Sequence, residues 1–427
     1  MWKALSKNIQ QKKSYGINTI WLLLDKVLSL STVLFITILL PKYLAVDEYG
    51  LLNYALSFVM IFASFCNLGL NNILFMDLVN RTLLKTKLLN SAFFLISINS
   101  LLVFTLCLTV SYFSSNNQET FLIIFIMSFH LLFTPFIVFE VFFQSRLKSK
   151  YIVISRVFSQ LFSLVALSGF LYFEASIIYF GFYKLIEFSI FATLIFIFAK
   201  KFISLELFRY TRILNKHLIS RSLPIFLQSI MVVIMLKIDQ IFVKHYLGET
   251  ANGIYALSIR LSEFWYFVPM AIVTSLFPTI IKIKNQNESV YKKRILMLYI
   301  SNIAISFIFI AAVYFFMPIF INFYFEESFH QSIETLRILI FAGFFVCLGL
   351  VTSRWLLVES WQRYLGFGAF LAALTNIVIN FIVIKDYGLL GVAYSSLISY
   401  ALGSFFFLFL FKKSRIFFLS LFKLKKI

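Results

Sequence analysis

Charge is what this chain has least of. Only 13% of its 427 residues are Asp, Glu, Lys or Arg, against roughly a quarter in an ordinary soluble domain. Hydrophobic residues make up 61% and the mean hydropathy is +0.92. That balance excludes a soluble globular class and implies an integral membrane protein. Proline and glycine are scarce as well, at six and 14 residues beside 56 Phe, and alternating segments of about 10 residues are missing, so a turn-rich β-barrel is excluded. Cysteine is limited to Cys66, Cys107 and Cys347, all within apolar runs. They read as small packing residues, with neither a disulfide framework nor metal-ligand spacing. No Gly-x-x-x-x-Gly-Lys loop is present, so no bound ATP drives this chain and no cofactor is implied. Connections stay too short for a soluble catalytic domain. The first apolar run lacks a small-residue cleavage site and is expected to remain as an anchor.

About 20 apolar residues span a bilayer. Twelve runs meet that measure, at 17–40, 51–75, 88–113, 121–143, 152–173, 177–199, 222–246, 253–281, 295–324, 336–358, 364–384 and 389–411. The fold class expected is an all-α integral membrane protein with about twelve transmembrane helices in two six-helix lobes. A lobe at 1–199 and a lobe at 222–427 with a basic tail flank a basic connector at 200–221.

The net charge of +20 would suggest nucleic acid for a soluble protein, but its placement gives a topological reading. The N-terminal segment, the even-numbered connections and the tail hold 28 Lys and Arg. Among them are Lys3, Lys7, Lys12, Lys13, Arg81, Lys148, Arg209, Lys284, Lys412, Lys413, Arg415, Lys423, Lys425 and Lys426. The odd-numbered connections hold three, Lys42, Lys244 and Lys385, together with nine acids. Alternation of this kind places both termini in the cytoplasm by the positive-inside rule. A faint repeat crosses the middle of the chain: Tyr43, Leu44 and Gly50 recur as Tyr246, Leu247 and Gly253 at an offset of 203. Duplicated six-helix units keep their orientation, so the halves are expected as parallel repeats.

A charge at the bilayer centre costs roughly 2.5–3.5 kcal/mol on the lenient insertion scale and is a functional-site hypothesis by default. Asp25 lies in a stripe with Asn18, Ser29 and Thr32; Asn53, Ser57, Ser64, Asn67 and Asn71 form another at helical spacing. Such stripes face a wet cavity or another helix. Arg260 and Glu263 are i,i+3 neighbours able to pair, whereas Lys237 and Asp239 point about 200° apart at 100° per residue. Pro269 and Pro278 bend or loosen the same helix. Arg156 and Arg354 have no local acid, and Lys184 has Glu187 one turn away. Lys26 and Arg337 are near enough to helix ends to snorkel. These seven bases outnumber Asp25, Glu187, Asp239 and Glu263 by three, a surplus suited to an anion such as phosphate. His130, mid-helix, fits a core-bonded histidine better than a relay. Most tryptophans suit interfacial belts; Trp265 and Tyr266, beside Glu263, are kept as groups that stack on sugar.

The stretch LPKYLAVDEYGLLNYALSFV at 40–59, with Tyr49-Gly50 opening helix two, resembles the polysaccharide-transport family. So does the pattern of Lys237, Asp239, Gly253, Tyr255, Ser258, Arg260, Glu263 and Pro269. This family comprises the O-antigen and lipid-linked oligosaccharide flippases of the multidrug/oligosaccharidyl-lipid/polysaccharide exporter superfamily. The resemblance implies two six-helix lobes about a cationic cavity in the bacterial inner membrane, working by alternating access. The implied substrate is an undecaprenyl-diphosphate-linked glycan moved to the periplasmic leaflet. Implied partners are the lipid bilayer and, in the same pathway, a polymerase and a chain-length regulator; nucleic acid is not among them. On this reading Arg260, Lys237, Arg156, Lys184 and Arg354 are candidates for the diphosphate. Asn53, Asn67, Asn71, Trp265 and Tyr266 are candidates for the sugar. Asp25, Asp239, Glu263 and Glu187 are candidates for a coupling proton or sodium ion, or for charge pairing. Rival readings are a multidrug exporter, which would want a net acidic cavity, and a peptidoglycan-precursor flippase, which usually has more helices. A membrane polysaccharide polymerase or ligase would need a large external loop.

Overall fold

The computed structural model describes residues 18, 21, 24–26, 28–29, 31–33, 35–80, 84–114, 117–203, 211–284 and 286–422, except the side chains at 278, 279 and 282. Lys3, Lys7, Lys12, Lys13, Arg81, Arg209, Lys423, Lys425 and Lys426 of the charge pattern, and 204–210 of the connector, lie outside the described residues. Everything described is helix, turn or coil, as the apolar runs require. In hydrocarbon each backbone N–H and C=O has to be satisfied within its own segment.

In chain order the helices are α1 (Leu24–Tyr43), α2 (Val46–Cys66), α3 (Leu70–Asn80), α4 (Lys85–Ser114), α5 (Gln118–Ser145), α6 (Lys150–Tyr172) and α7 (Ile177–Lys200). Then follow α8 (Arg212–Leu247), α9 (Glu249–Glu263), α10 (Phe267–Lys284), α11 (Glu288–Tyr324), α12 (Ser332–Leu339), α13 (Ala342–Val358), α14 (Gln362–Ser404) and α15 (Lys412–Ser420). Among the described residues ten helical spans are long and apolar enough to cross a membrane, and the pair Glu327–Leu339 and Ala342–Val358, bent by 44°, makes eleven. The ten include α14 as a single span, yet Gly388 inside it has φ 53° and ψ −138°, outside the helical region. Its arms, 362–387 and 389–404, fall on the predicted runs 364–384 and 389–411.

The helices are interrupted where the sequence weakens them. The run predicted at 51–75 breaks at residues 67–69, where Leu68 (φ 49°) and Gly69 (φ 67°) are left-handed. A Cβ on Gly69 would lie 2.7 Å from the backbone nitrogen of Phe226, so glycine is required there on both counts. The carbonyls left open at the end of α2 accept from Asn99 Nδ2 of α4, at 2.6 Å (Phe65) and 2.8 Å (Cys66). A side chain from another helix thus does the work of a cap. Pro269 is the third residue of α10 and cannot donate to the carbonyl four residues back. The turn before it, Phe264–Tyr266, tightens to 3-10 geometry. Asn287 caps α11, accepting from the Val290 N–H.

The chain forms two compact units. One consists of 1–38 and Ala55–Ile230; the other of Leu39–Tyr54 and Met231–Ile427. The sequence divides the lobes at the basic connector, and the opening of α2 groups with the second unit. The first unit is built on an aromatic core in which Phe93, Phe136, Phe139 and Phe196 meet at centroid distances of 5.5–6.1 Å. Cys66 and Cys107, and Cys347 in the second unit, are buried and free, as packing residues should be.

Within the second unit the repeat echo becomes a contact. A Cβ on Gly50 would sit 1.9 Å from the Glu249 carbonyl oxygen, and one on Gly253 2.0 Å from that of Val46. Asn252 Nδ2 donates to the Gly50 carbonyl at 2.7 Å. The starts of α2 and α9 therefore touch backbone to backbone, an approach that only small residues permit.

Candidate functional site

In the first unit the charges close on one another. Arg156 of α6 donates from one terminal nitrogen to Asp25 of α1 and from the other to Glu140 of α5, the latter at 2.9 Å. Gln144 Nε2 also donates to Glu140, at 3.1 Å. The sequence gives Arg156 no acid within helical reach; the structure supplies two from other helices. Counting Glu140 among the membrane acids reduces the surplus of bases from three to two, and Arg156 is no longer a free cation. Lys184 is also engaged, 2.7 Å from Glu187. His130 donates from Nδ1 to the Met127 carbonyl at 2.7 Å and packs at a tilt on Phe188, 4.6 Å between ring centroids, so it is the core histidine expected.

The polar stripe of α1 faces a helix. Asn18 accepts from the Ser149 N–H, Asp25 pairs with Arg156, and Ser29 accepts from Gln160, each separated by 131 residues. A constant offset means that the first and fifth predicted helices run parallel and in step. The second unit makes the same connection between its own first and fifth helices. Asp239 of α8 accepts from Asn380 Nδ2 on the 362–387 arm of α14 at 2.6 Å.

Asp239 is the most enclosed acid of the second unit, 4% exposed. Besides Asn380 it accepts from the Tyr255 hydroxyl at 2.9 Å and from Ser396 Oγ. Asn380 donates in addition to Asn376 Oδ1 at 3.1 Å. Two helices beyond α8 thus deliver neutral donors and acceptors around one carboxylate with no cation in contact. The oxygen of Asn380 and the amide nitrogen of Asn376 remain buried without partners. A cavity of about 20 Å³ adjoins, walled by Asp239, Glu263, Ser396, Tyr266 and Tyr400, roughly the volume that one water or small ion needs. Asn376, Asn380, Ser396, Tyr400 and Glu140 are the site residues that sequence reasoning left out, and Tyr255 stood there only as part of the family pattern, with no role. Asn376 and Asn380, four apart in an apolar run, carry the same signal as the stripes of helices one and two.

Arg260 and Glu263 do not form an ion pair within 4 Å. Glu263 ends α9, where the 3-10 turn begins, and accepts instead from the Tyr400 hydroxyl at 3.4 Å. Lys237 remains in the electrostatic neighbourhood of both. Arg354 reaches only Thr274 Oγ1, at 3.5 Å, and the Phe277 ring, at 5.8 Å. Lys237, Arg260 and Arg354 are thus cations without a close acid among the described residues.

Of the candidate sugar contacts, Trp265 is fully buried, stacked at 5.1 Å on Phe309 and pressed against Gly343. Its ring belongs to the core. Asn53 is 3% exposed and bonds back to the Tyr49 carbonyl at 2.8 Å. Asn67, in the break after α2, and Asn71, in α3, keep buried side-chain oxygens without partners, and Tyr266 lines the small cavity. No three of His, Cys, Asp and Glu gather as metal ligands among the described residues.

A family profile described as polysaccharide biosynthesis protein matches residues 16–284, more than half of the chain. The chain belongs to that family. The polysaccharide biosynthesis profile takes in Asp25, Glu140, Arg156, Asp239, Arg260 and Glu263, and a MatE profile matches residues 224–382. No curated protein matches this family member. Among solved structures it is similar to an inward-facing MATE multidrug resistance transporter of the MOP superfamily, with TM-score 0.71 and 13% identity over 94% of this chain and 96% of that one. It is similar also to the lipid II flippase MurJ in an inward closed conformation, with TM-score 0.70 and 18% identity over 95% and 91%. A third neighbour is a MOP superfamily transporter from Pyrococcus furiosus whose title describes reverse polarity of its binding pocket, with TM-score 0.62 and 14% identity over 96% and 94%. At these identities the likeness establishes the fold of this multi-pass membrane protein.

Proposed function

We propose that this chain is a flippase for an undecaprenyl-diphosphate-linked oligosaccharide, an O-antigen or similar surface-polysaccharide unit. It moves this substrate from the cytoplasmic to the periplasmic leaflet of the inner membrane by alternating access. The observation that carries the reading is that Lys237, Arg260 and Arg354 make no ion pair within 4 Å among the described residues, whereas Arg156 and Lys184 do; Lys237 and Arg260 share the field of one acid, Glu263. A diphosphate needs such cations, and guanidinium groups bind it with two-pronged geometry. A cationic drug would be repelled by them, which favours the lipid-diphosphate reading over a multidrug exporter. Membership of a polysaccharide biosynthesis family agrees.

In this mechanism Arg260 and Arg354 hold the diphosphate, with Lys237 completing the positive field. Tyr266, on the wall of the small cavity, meets a sugar hydroxyl. Asp239, ringed by neutral donors, takes a proton or a sodium ion, and Glu263 opens onto the same small cavity. Charge on Asp239 then changes with the coupling ion and alters its hold on Tyr255, Asn380 and Ser396. The test is leaflet exchange of a lipid-diphosphate oligosaccharide by reconstituted protein. Arg260→Ala is expected to abolish exchange at normal protein level, while unchanged exchange removes the assigned role.

A further inference from the structure

The second unit carries a groove unrelated to any of these charges. It has a volume of about 230 Å³ and is walled by residues of α11, α13, the turn after α14 and the tail, among them Tyr299, Ile303, Phe345, Phe406, Phe418 and Phe422. The wall offers no polar surface. Even Tyr299 turns only its ring to it, because its hydroxyl is shared between Thr352 Oγ1 and Trp355 Nε1, each at 2.8 Å. In a bilayer such a recess takes hydrocarbon, since an unfilled one forfeits the dispersion contacts of its lining.

The tail decides which hydrocarbon. Helix α15 is held down by Phe417, stacked 4.7 Å from Trp355, and by Phe418, edge-on to Tyr299 at 5.6 Å. Arg415 and Phe418 are i and i+3 on α15, so Arg415 stands one turn before a ring that lines the groove. Lys412, Lys413 and Arg415 are all exposed and have no acid partner among the described residues. Three free cations beside an apolar trough match a phosphate headgroup beside its chain. A second copy of the chain would bring the same three cations face to face, and like charges oppose that contact.

We infer that this groove is a docking site for an anionic phospholipid, with one acyl chain against Ile303, Phe345 and Phe406 and its phosphate on Lys412, Lys413 and Arg415. The charge alternation assigns these residues to the cytoplasmic face, where anionic lipid is attracted to basic segments.

The test is native mass spectrometry of the full chain released from micelles containing equal dioleoyl phosphatidylglycerol and dioleoyl phosphatidylcholine. The wild type should retain phosphatidylglycerol preferentially. The triple variant K412A/K413A/R415A, altered only at exposed positions, should reduce that retention by about tenfold or more. Ile303→Trp, which fills the groove, should remove retention with the basic residues intact. Equal retention of the two lipids, or retention unchanged in either variant, overturns the assignment. So does displacement of phosphatidylglycerol by a polyprenyl phosphate, or a dimer that the triple variant dissociates.

Discussion

Arg156 shows how much a single residue depends on partners far away in sequence. Its pairing with Asp25 and Glu140 was invisible to helical spacing, because the acids come from helices separated from it by 131 and 16 residues. Removing the guanidinium leaves two carboxylates facing each other in a part-buried site. Arg156→Ala should cost roughly 3 kcal/mol, at the low end for breaking a buried pair, and be seen as a lowered unfolding temperature in detergent. The triple neutral variant D25N/E140Q/R156Q should recover most of that loss. Asp239 makes a contrasting case. Replacing it by Ala strands the Tyr255, Asn380 and Ser396 donors, at about 1–3 kcal/mol for each buried group left unmade. Asp239→Asn keeps the volume and removes the charge. Its expected signature is transport that no longer responds to a proton or sodium gradient, with near-normal thermal stability. The aspartate itself was legible as an expensive intramembrane charge. Its ring was less so: Tyr255 stands in the family pattern, but Ser396 looks like an ordinary small residue in an apolar run.

The elements were legible wherever apolar length alone sets them, as in α4 to α7, whose ends fall close to the predicted runs. The breaks were legible in part: Asn67, Gly69 and Asn71 weaken the run where it breaks at residues 67–69, while the bend at 340–341 has no such signal, because side-chain polarity says little about backbone dihedrals. Glycine spacing was the better guide: the echo of Gly50 in Gly253 marks two helix starts that meet in space. That contact makes a sharp prediction. Gly253→Ala must displace a carbonyl that an added Cβ would approach to 2.0 Å, whereas Gly169→Ala meets nothing within 4 Å. The first should sharply lower folded yield and thermal stability, and the second should leave both near wild type, or slightly higher through the better helix propensity of alanine. Size-exclusion profiles of the two variants side by side check this.

At the scale of the whole molecule, the alternating loop charge and the twelve apolar runs specify a multi-pass bundle, and its parallel repeat appears in the way each unit ties its first helix to its fifth through a buried aspartate. The topology follows as a prediction. Single cysteines at Lys148 and Lys284 should resist labelling from the outside of intact cells and react once the membrane is opened. Substrate class is written less directly. Composition gave a surplus of bases, and only the three-dimensional pairing separates those in close ion pairs from Lys237, Arg260 and Arg354. The measurement that tests this account most directly is leaflet exchange of an undecaprenyl-diphosphate oligosaccharide in proteoliposomes, scored together with glycan length. Wild type and the double variant K184A/E187A should exchange it at unchanged chain length, and Arg260→Ala should not. Glycan that lengthens without crossing, or exchange that survives Arg260→Ala, would contradict it.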